Sequence, residues 1–563
     1  MRTKSLLLSA TTIGLAVILF HTDSHSLFGD TMNPVALTGV VSSQQEGPME
    51  GVLVSAKKGD STITITVVSG AQGRYSFPAA RLEPGHYALR IRAVGYDLDA
   101  PGAADVSRQK TVTADLKLRK TADLASQLTN AEWLMSFPGT EEQKGSIQAC
   151  THCHTIEPIA RSRHDAEEFE QVLERMSHYT PESFPLMIQP ATPGRIGGGE
   201  LSNEQQSRQQ ETRRKQAEYL ATLNLSSSLQ WTYPLKTLPR PKGRATQVIM
   251  TEYDLPKRTR QPHDVVVDSE GMVWYAAFGE PILGKMDPKN GKIIEYPMPV
   301  LKPGTVIGNL DVEFDEDQNL WIAMTYQAGV AKFDRKAETF QVFSLPANLN
   351  ADYRELTFVS PTHSHVDGKI WINDSGTYTQ MRLDIGSGKF EVFEPFPTPR
   401  PNVYQIIADD QNNAYFTVMG REDIGRIDAK TGKISTYPTP THGSAPRRGM
   451  MDPQGRLWFG ENRGNRIGMF DTRTEKFQEW VSPTPEYFPY DVSVDENGEA
   501  WAVTEFADSV LRLDPKKGQM IAYLLPRPTN MRRSFVDSST KPVTFWVGNT
   551  HGASIVKVEP LQE

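Results

Sequence analysis

Asp452-Pro453-Gln454-Gly455-Arg456-Leu457-Trp458, running on into Phe459-Gly460-Glu461, is one copy of a pattern that fills the C-terminal half of this 563-residue chain. An aromatic residue recurs at Trp274, Trp321, Trp371, Tyr415, Trp458, Trp501 and Trp546, at intervals of 43 to 50 residues. A D-x-x-G turn or a near variant precedes it: Asp268 with Gly271, Asp317 with Asn319, Asp367 with Gly368, Asp410 with Asn412, Asp452 with Gly455, and Asp495 with Gly498. In the first six copies a strand ending in aspartate follows (Asp287, Asp334, Asp384, Asp428, Asp471, Asp514), then a turn and a strand ending in proline. Four short strands at such a period bury their faces only by stacking on the next copy, so seven copies predict a seven-bladed β-propeller. The last copy stops at Val558-Glu559-Pro560 without its fourth strand, while residues 247–256 supply an extra one of the same type. That strand is expected to complete the seventh blade, close the ring and leave no open edge.

N-terminal to the repeats stands Cys150-Thr151-His152-Cys153-His154. Two thiols spaced C-x-x-C and followed at once by histidine form the attachment signal of c-type haem. One turn of backbone presents both sulfurs to one porphyrin edge, and His154 then supplies the proximal imidazole to the iron. Cys150 and Cys153 are the only cysteines, so a four-sulfur zinc site is excluded. A thioredoxin-type dithiol would want a strand before the motif and gives His154 no role. One covalent haem c is the expected cofactor. Its sixth ligand is sought among methionines, whose thioether raises the potential. Met176 on the apolar face of a helix is preferred, with Met187 in the loop after Pro185 as the alternative and His178 as a third candidate.

The net charge of −8 argues against nucleic acid as a partner. Arg2 and Lys4 precede an apolar stretch from Leu6 to Phe20, the layout of a signal peptide too short to span a bilayer comfortably. Residues 1–26 are therefore expected to direct export to the periplasm, with membrane attachment only if the segment stays uncleaved. Export agrees with the haem motif, because bacterial c-type haem is attached outside the cytoplasm.

Residues 34–120 read as short alternating strands near 36–41, 51–56, 63–68, 74–77, 87–94 and 111–118, with turns at Gly73, Pro84-Gly85 and Gly95. Alternation places Tyr87, Leu89 and Ile91 on one buried face. The runs from Gly73 to Phe77, Leu82 to Tyr87 and Ala93-Val94-Gly95-Tyr96 resemble the carboxypeptidase regulatory-like, transthyretin-like β-sandwich, which implies a scaffold or docking module. Residues 122–226 turn helical. Helices are expected at 130–137, 141–149 and from a capping box of Asp165 with Glu168 through Met176, and a second box, Ser202 with Gln205, opens one to about Leu223. Helix, haem motif, helix, loop and terminal helix resemble a small monohaem cytochrome c. Residues 226–244, rich in proline and lysine, read as a semi-extended linker. The expected architecture is thus multidomain: an all-β sandwich, a small all-α cytochrome c, and a seven-bladed propeller over 245–563.

The fifth repeat, Leu457-Trp458-Phe459-Gly460-Glu461-Asn462-Arg463-Gly464-Asn465-Arg466-Ile467-Gly468, resembles the repeat of the streptogramin (virginiamycin B) lyase family, and Gln261-Pro262-His263-Asp264 echoes its Pro-His strand start. The resemblance implies opening of a cyclic depsipeptide ester by elimination, with a general-base histidine and Mg²⁺ held by glutamate near the channel mouth. The pattern is carried over incompletely. His263 fills the histidine position in one blade, where Leu310, Tyr404, Arg447, Tyr490 and Arg532 stand in others. Glutamate three residues past the tryptophan occurs only at Glu461, with Ala277 in the blade of His263, and Glu505 is displaced by one. Channel-facing positions also hold Arg448, Arg463 and Arg533 beside Asp311, Asp374, Asp491 and His551, and arginine pairs suit a carboxylate. The functional expectation is an exported haem electron-transfer protein whose propeller binds a redox partner protein or a small anionic substrate. His263, Glu461, Glu505, Arg447 and Arg532 are the candidates for chemistry in the propeller. A carbon–oxygen lyase or hydrolase, or a non-catalytic binding module, are the alternatives.

Overall fold

The computed structural model describes residues 34–191, 202–226 and 228–561; the expected leader at 1–26 lies outside them. Alternation builds the first unit. Strands Val35–Ser43, Arg74–Pro78 and Leu116–Lys120 belong to one sheet and Leu53–Lys58, Ile63–Val68, Gly85–Arg92 and Gly102–Val106 to the other. Leu37, Val41, Val54, Ala56, Tyr75, Phe77, Leu89 and Leu116 fill the space between. Tyr87 and Leu89 are buried as the alternation predicts, with Ile91 half-buried. The strand expected at 111–118 is two, Val112–Thr113 and Leu116–Lys120, broken where Ala114 bonds back to Thr38 O. Tyr96–Leu98 and Gly102–Val106 were not foreseen, because Gly95 and Pro101 punctuate them like turns.

Among the described residues five helices follow: α1 Asn130–Ser136, α2 Glu141–Gln148, α3 Glu157–Ala160, α4 Ala166–Ser177 and α5 Asn203–Leu223. Both expected capping boxes form, Asp165 with Glu168 and Ser202 with Gln205, and Thr129 with Glu132 and Thr140 with Gln143 make two more. The helices do not stand apart as the separate all-α domain that the sequence suggested. Trp133, Phe137, Ile147, Phe169, Leu220 and Leu223 share one continuous apolar core with Trp458, Ile467, Tyr487, Phe488 and Phe506 of the propeller. The linker is not a spacer either. Trp231 packs edge-on to Trp133, with centroids 5.1 Å apart, and Leu238 N donates to buried Glu132 at 2.7 Å.

Six four-stranded antiparallel sheets occupy residues 262–297, 312–344, 356–393, 403–438, 446–481 and 489–524. The seventh combines Ser534–Asp537, Thr544–Asn549 and Ser554–Pro560 with Val248–Asp254, the closing strand anticipated from the sequence. Inner strands touch their neighbours all the way round, so the ring is closed. At the closure the backbone of the seventh blade runs against the first. A Cβ at Gly548 would stand 2.0 Å from Pro262 O, which only glycine avoids. Val248–Asp254 also has a second partner. Thr251 faces Lys557 on one side and Ile65 of the sandwich on the other, so one eight-stranded sheet runs through both units.

The repeated Asp-to-Trp spacing has a bond behind it. Trp274, Trp321, Trp458 and Trp501 donate their indole N–H to Asp268, Asp315, Asp452 and Asp495 at 2.8 to 3.0 Å. In the second blade the bonding residue is therefore Asp315, not Asp317. In the fourth, Asp409 rather than Asp410 holds the turn, accepting from Asn413 N at 2.8 Å.

Candidate functional site

Inner strands begin at Pro262-His263-Asp264, Pro446-Arg447-Arg448 and Pro489-Tyr490-Asp491, and the register of each slips at that point. A β-bulge re-aims side chains that would otherwise alternate. Consecutive residues such as Arg447 and Arg448 both reach the channel in this way, one at its mouth and the next deeper.

The deeper level is a closed ion network. Arg448, fully buried, donates to Asp264 at 2.7 and 3.0 Å and to Asp311 at 3.0 Å. Arg533 adds contacts to Asp264 and Asp311 at 3.1 Å and to Glu313 at 2.6 Å. His263 Nδ1 bonds Asp264 at 2.7 Å, and burial pulls its pKa down to about 4. Against the burial that would raise it, Arg448 and His263 hold Asp264 well below the usual carboxylate range; burial and the charge of Asp264 push Asp311 up. At this level both guanidinium groups, Arg448 and Arg533, are taken up by carboxylates. Arg463 is exposed and belongs to no part of it, and Asp374 is taken by Arg354 at 2.6 Å. Of the five arginines placed at channel-facing positions, Arg448 and Arg533 are thus paired with carboxylates and Arg463 lies outside the channel.

The mouth is different. Arg532 donates to Glu505 at 2.6 Å, Asn462 donates to the same carboxylate at 3.1 Å, and Arg447 stands 3.7 Å from it. Both guanidinium groups lie over Tyr490, at 5.0 and 4.9 Å from the ring centroid, and Tyr490 hydrogen-bonds Tyr404. Although burial opposes it, Arg447 and Arg532 drive Glu505 down to about 2. Glu461 does not join them. Its oxygens are buried without a hydrogen-bond partner beside Gly464 and Gly468, and burial with the charge of Glu479 pushes it up to about 9.

Above this mouth sits the haem-motif loop. Cys150 lies within a short 3₁₀ turn, Ala149–His152, Cys153 caps its C-terminal end, and neither is in a disulfide. The Asn530 amide of the seventh blade donates to Thr151 O, between the two cysteines, and lies 3.2 Å from His551 Nε2. Burial, then Arg532 and His154, bring His551 down to about 3; burial, then Arg532, bring His152 down to about 4. Burial raises the thiols of Cys150 and Cys153 to about 12 and about 11. Further contacts seal the rim. Ala131 N donates to Phe506 O at 2.9 Å, Gln189 to Gly279 O at 3.1 Å and Ile307 O at 3.2 Å, and Gln261 to Glu182 O at 3.2 Å.

His154 Nδ1 bonds Thr155 O at 2.7 Å, which fixes the ring and leaves Nε2 as the nitrogen for a metal. Met176 is 40% exposed on α4, while Met187 is half-buried with its methyl against Gly279 of the first blade. His178 pairs with Glu174 at 3.3 Å. Sequence reading missed Asp264, Tyr404, Tyr490, Asn530 and His152 as members of the site. The repeat register does align Tyr404 and Tyr490 with His263, and it sets Asp264 level with Arg448, but it does not say that they meet.

Among the described residues no group of three or more His, Cys, Asp and Glu is arranged to hold a metal ion, and no helix is long and apolar enough to cross a membrane. The carboxypeptidase regulatory-like domain family matches residues 36–119 and the virginiamycin B lyase family matches residues 303–562. No curated protein matches the chain. Among solved structures, a streptogramin B lyase is 21% identical over 56% of this chain and 99% of its own, with a TM-score of 0.50. A virginiamycin B lyase from Staphylococcus aureus is 21% identical over 55% of this chain and 98% of its own, with a TM-score of 0.47. The extracellular domain of a one-component system from B. thetaiotaomicron is 15% identical over 54% of this chain and 41% of its own, with a TM-score of 0.42. The first of these likenesses speaks to fold alone. The chain is a mostly-β multidomain protein with an N-terminal carboxypeptidase regulatory-like β-sandwich and a virginiamycin B lyase-like propeller region.

Proposed function

We propose that the protein is an exported c-type cytochrome whose haem, held by Cys150, Cys153 and His154, exchanges electrons with a redox partner protein or a small substrate. The observation that carries this reading is the donor set. Two thiols outside any disulfide lie on one turn and its C-cap, and the histidine after them has Nδ1 engaged by a backbone carbonyl, with Nε2 left for iron. Haem c supplies a one-electron couple when bound. The residues of this chain attach it, orient the proximal imidazole and seat the loop on the propeller through Asn530. Met176 remains the preferred sixth ligand and Met187 the alternative. The export signal at 1–26 and the periplasm belong to the same reading.

The test is direct. Protein matured through export should keep its haem through acid–acetone extraction, because thioethers hold it, and give a reduced-minus-oxidised c-type spectrum. Cys150→Ser or Cys153→Ser should abolish covalent attachment or leave a single thioether. Export-matured protein without haem would end the proposal.

A carbon–oxygen lyase or hydrolase is the second reading, favoured by the family match over residues 303–562. It would ask His263 and a Mg²⁺-holding glutamate to meet at the mouth; here His263 is engaged by Asp264, and Glu461 lies towards Glu479. A binding module without chemistry needs neither and fits the sealed rim.

A further inference from the structure

The propeller mouth is covered by the haem-attachment loop of its own chain, and that gives the buried charges there a target. Asn530, fully buried, holds the carbonyl between the two cysteines. Two residues later Arg532 bonds Glu505 at 2.6 Å, and Arg447 approaches the same carboxylate to 3.7 Å. Two guanidinium groups thus share one carboxylate, and the aromatic faces of Tyr490 and Tyr404 take up part of the remaining charge. The deeper network of Arg448 and Arg533 is matched by Asp264, Asp311 and Glu313. The two arginines of the mouth cluster therefore outnumber its one carboxylate, beside the loop that Asn530 holds. Buried charge is screened little by salt. Charge near a haem shifts its potential, because the reduced iron carries one positive charge fewer.

We propose that the Arg447–Glu505–Arg532 cluster of the propeller sets the reduction potential of the haem on Cys150, Cys153 and His154, holding it above the value it would have without that cluster. The inference rests on the haem reading above. It assigns the propeller a task that needs no ligand in the channel: its mouth is a charged seat for the haem loop.

Redox titration of the full-length, haem-loaded protein, followed by its absorption spectrum, reads this. Arg532→Gln, and more weakly Arg447→Gln, should lower the midpoint potential, and Glu505→Gln should raise it. Arg532→Lys keeps the charge and should stay close to wild type, and exposed Arg463→Gln serves as the control. Opposite shifts at Arg532 and Glu505 support the proposal. Shifts of one sign at both, or none at either, overturn it, since a loop merely loosened from its seat moves the same way whichever partner is lost. If Arg532→Gln does not fold, Arg447→Gln against Glu505→Gln makes the same comparison of signs. Wild-type protein without covalent haem would refute the haem reading itself, an outcome distinct from haem whose potential ignores these charges.

Discussion

Glu461 and Glu505 are buried carboxylates in adjacent blades, and their surroundings drive them in opposite directions. Glu505 has two arginines and sinks to about 2; Glu461 has Glu479 and rises to about 9. The linkage signs follow. A carboxyl lowered by folding stabilises the native state above its unfolded pKa, and that contribution is lost as pH falls towards about 2. A carboxyl raised by folding costs nothing in acid and progressively more as pH climbs from its unfolded value towards about 9. Glu461→Gln, which keeps the shape without the charge, should therefore stabilise the protein by about 2–3 kcal/mol at pH 7, fading to nothing near pH 4. Thermal unfolding of both proteins across that range checks it; a gain independent of pH would mean that Glu461 is not a strained acid.

Strand Val248–Asp254 is the element on which two units depend. Its residues pair with Ser554–Pro560 on one edge and Ile63–Val68 on the other, so it is central in a sheet although it begins the propeller. Proline within a central strand removes a ladder donor, which is why it is confined to edges and bulges. Thr251→Pro should lower the melting temperature and strip hydrogen-exchange protection from both flanking strands together. Loss on one side alone would show that the two ladders are independent. Helix α4 makes the complementary point. Its capping box and apolar spacing set its ends, yet only Phe169 is fully buried, and Met176 at the far end is 40% exposed.

For the whole molecule, the decisive feature is that the helices share one apolar core with the fifth and sixth blades. Trp133, Leu134 and Leu223 are wholly buried in it, alongside Tyr487, Phe488 and Phe506 of the propeller. At about 25 cal/mol per Å² of apolar surface, exposing such a face costs more than a helical segment of this size can spare. Residues 122–226 produced alone should lack a cooperative thermal transition, whereas the full chain should show one that includes the helices. Cooperative unfolding of the isolated segment would restore it as a domain.

Short-range chemistry was legible without coordinates. The strand of Ile63–Val68, the boxes at Asp165 and Ser202, the repeat of seven aromatic residues and the closing strand all depend on periodicity or on neighbours a few residues apart. The sequence by itself thus determined the sandwich, the helices and the blades, and set two cysteines and a histidine within five residues of chain. Tertiary structure alone decided how charges hundreds of residues apart meet. It paired Arg448 with Asp264 and Asp311, left Arg447 and Arg532 to one glutamate, sent Glu461 away from the mouth, joined Thr251 to Ile65, and placed Asn530 under Thr151. The reason is physical. A local pattern records which face of an element is buried, but a buried charge is settled by whichever partner the packing brings within reach, and that partner leaves no mark in spacing along the chain.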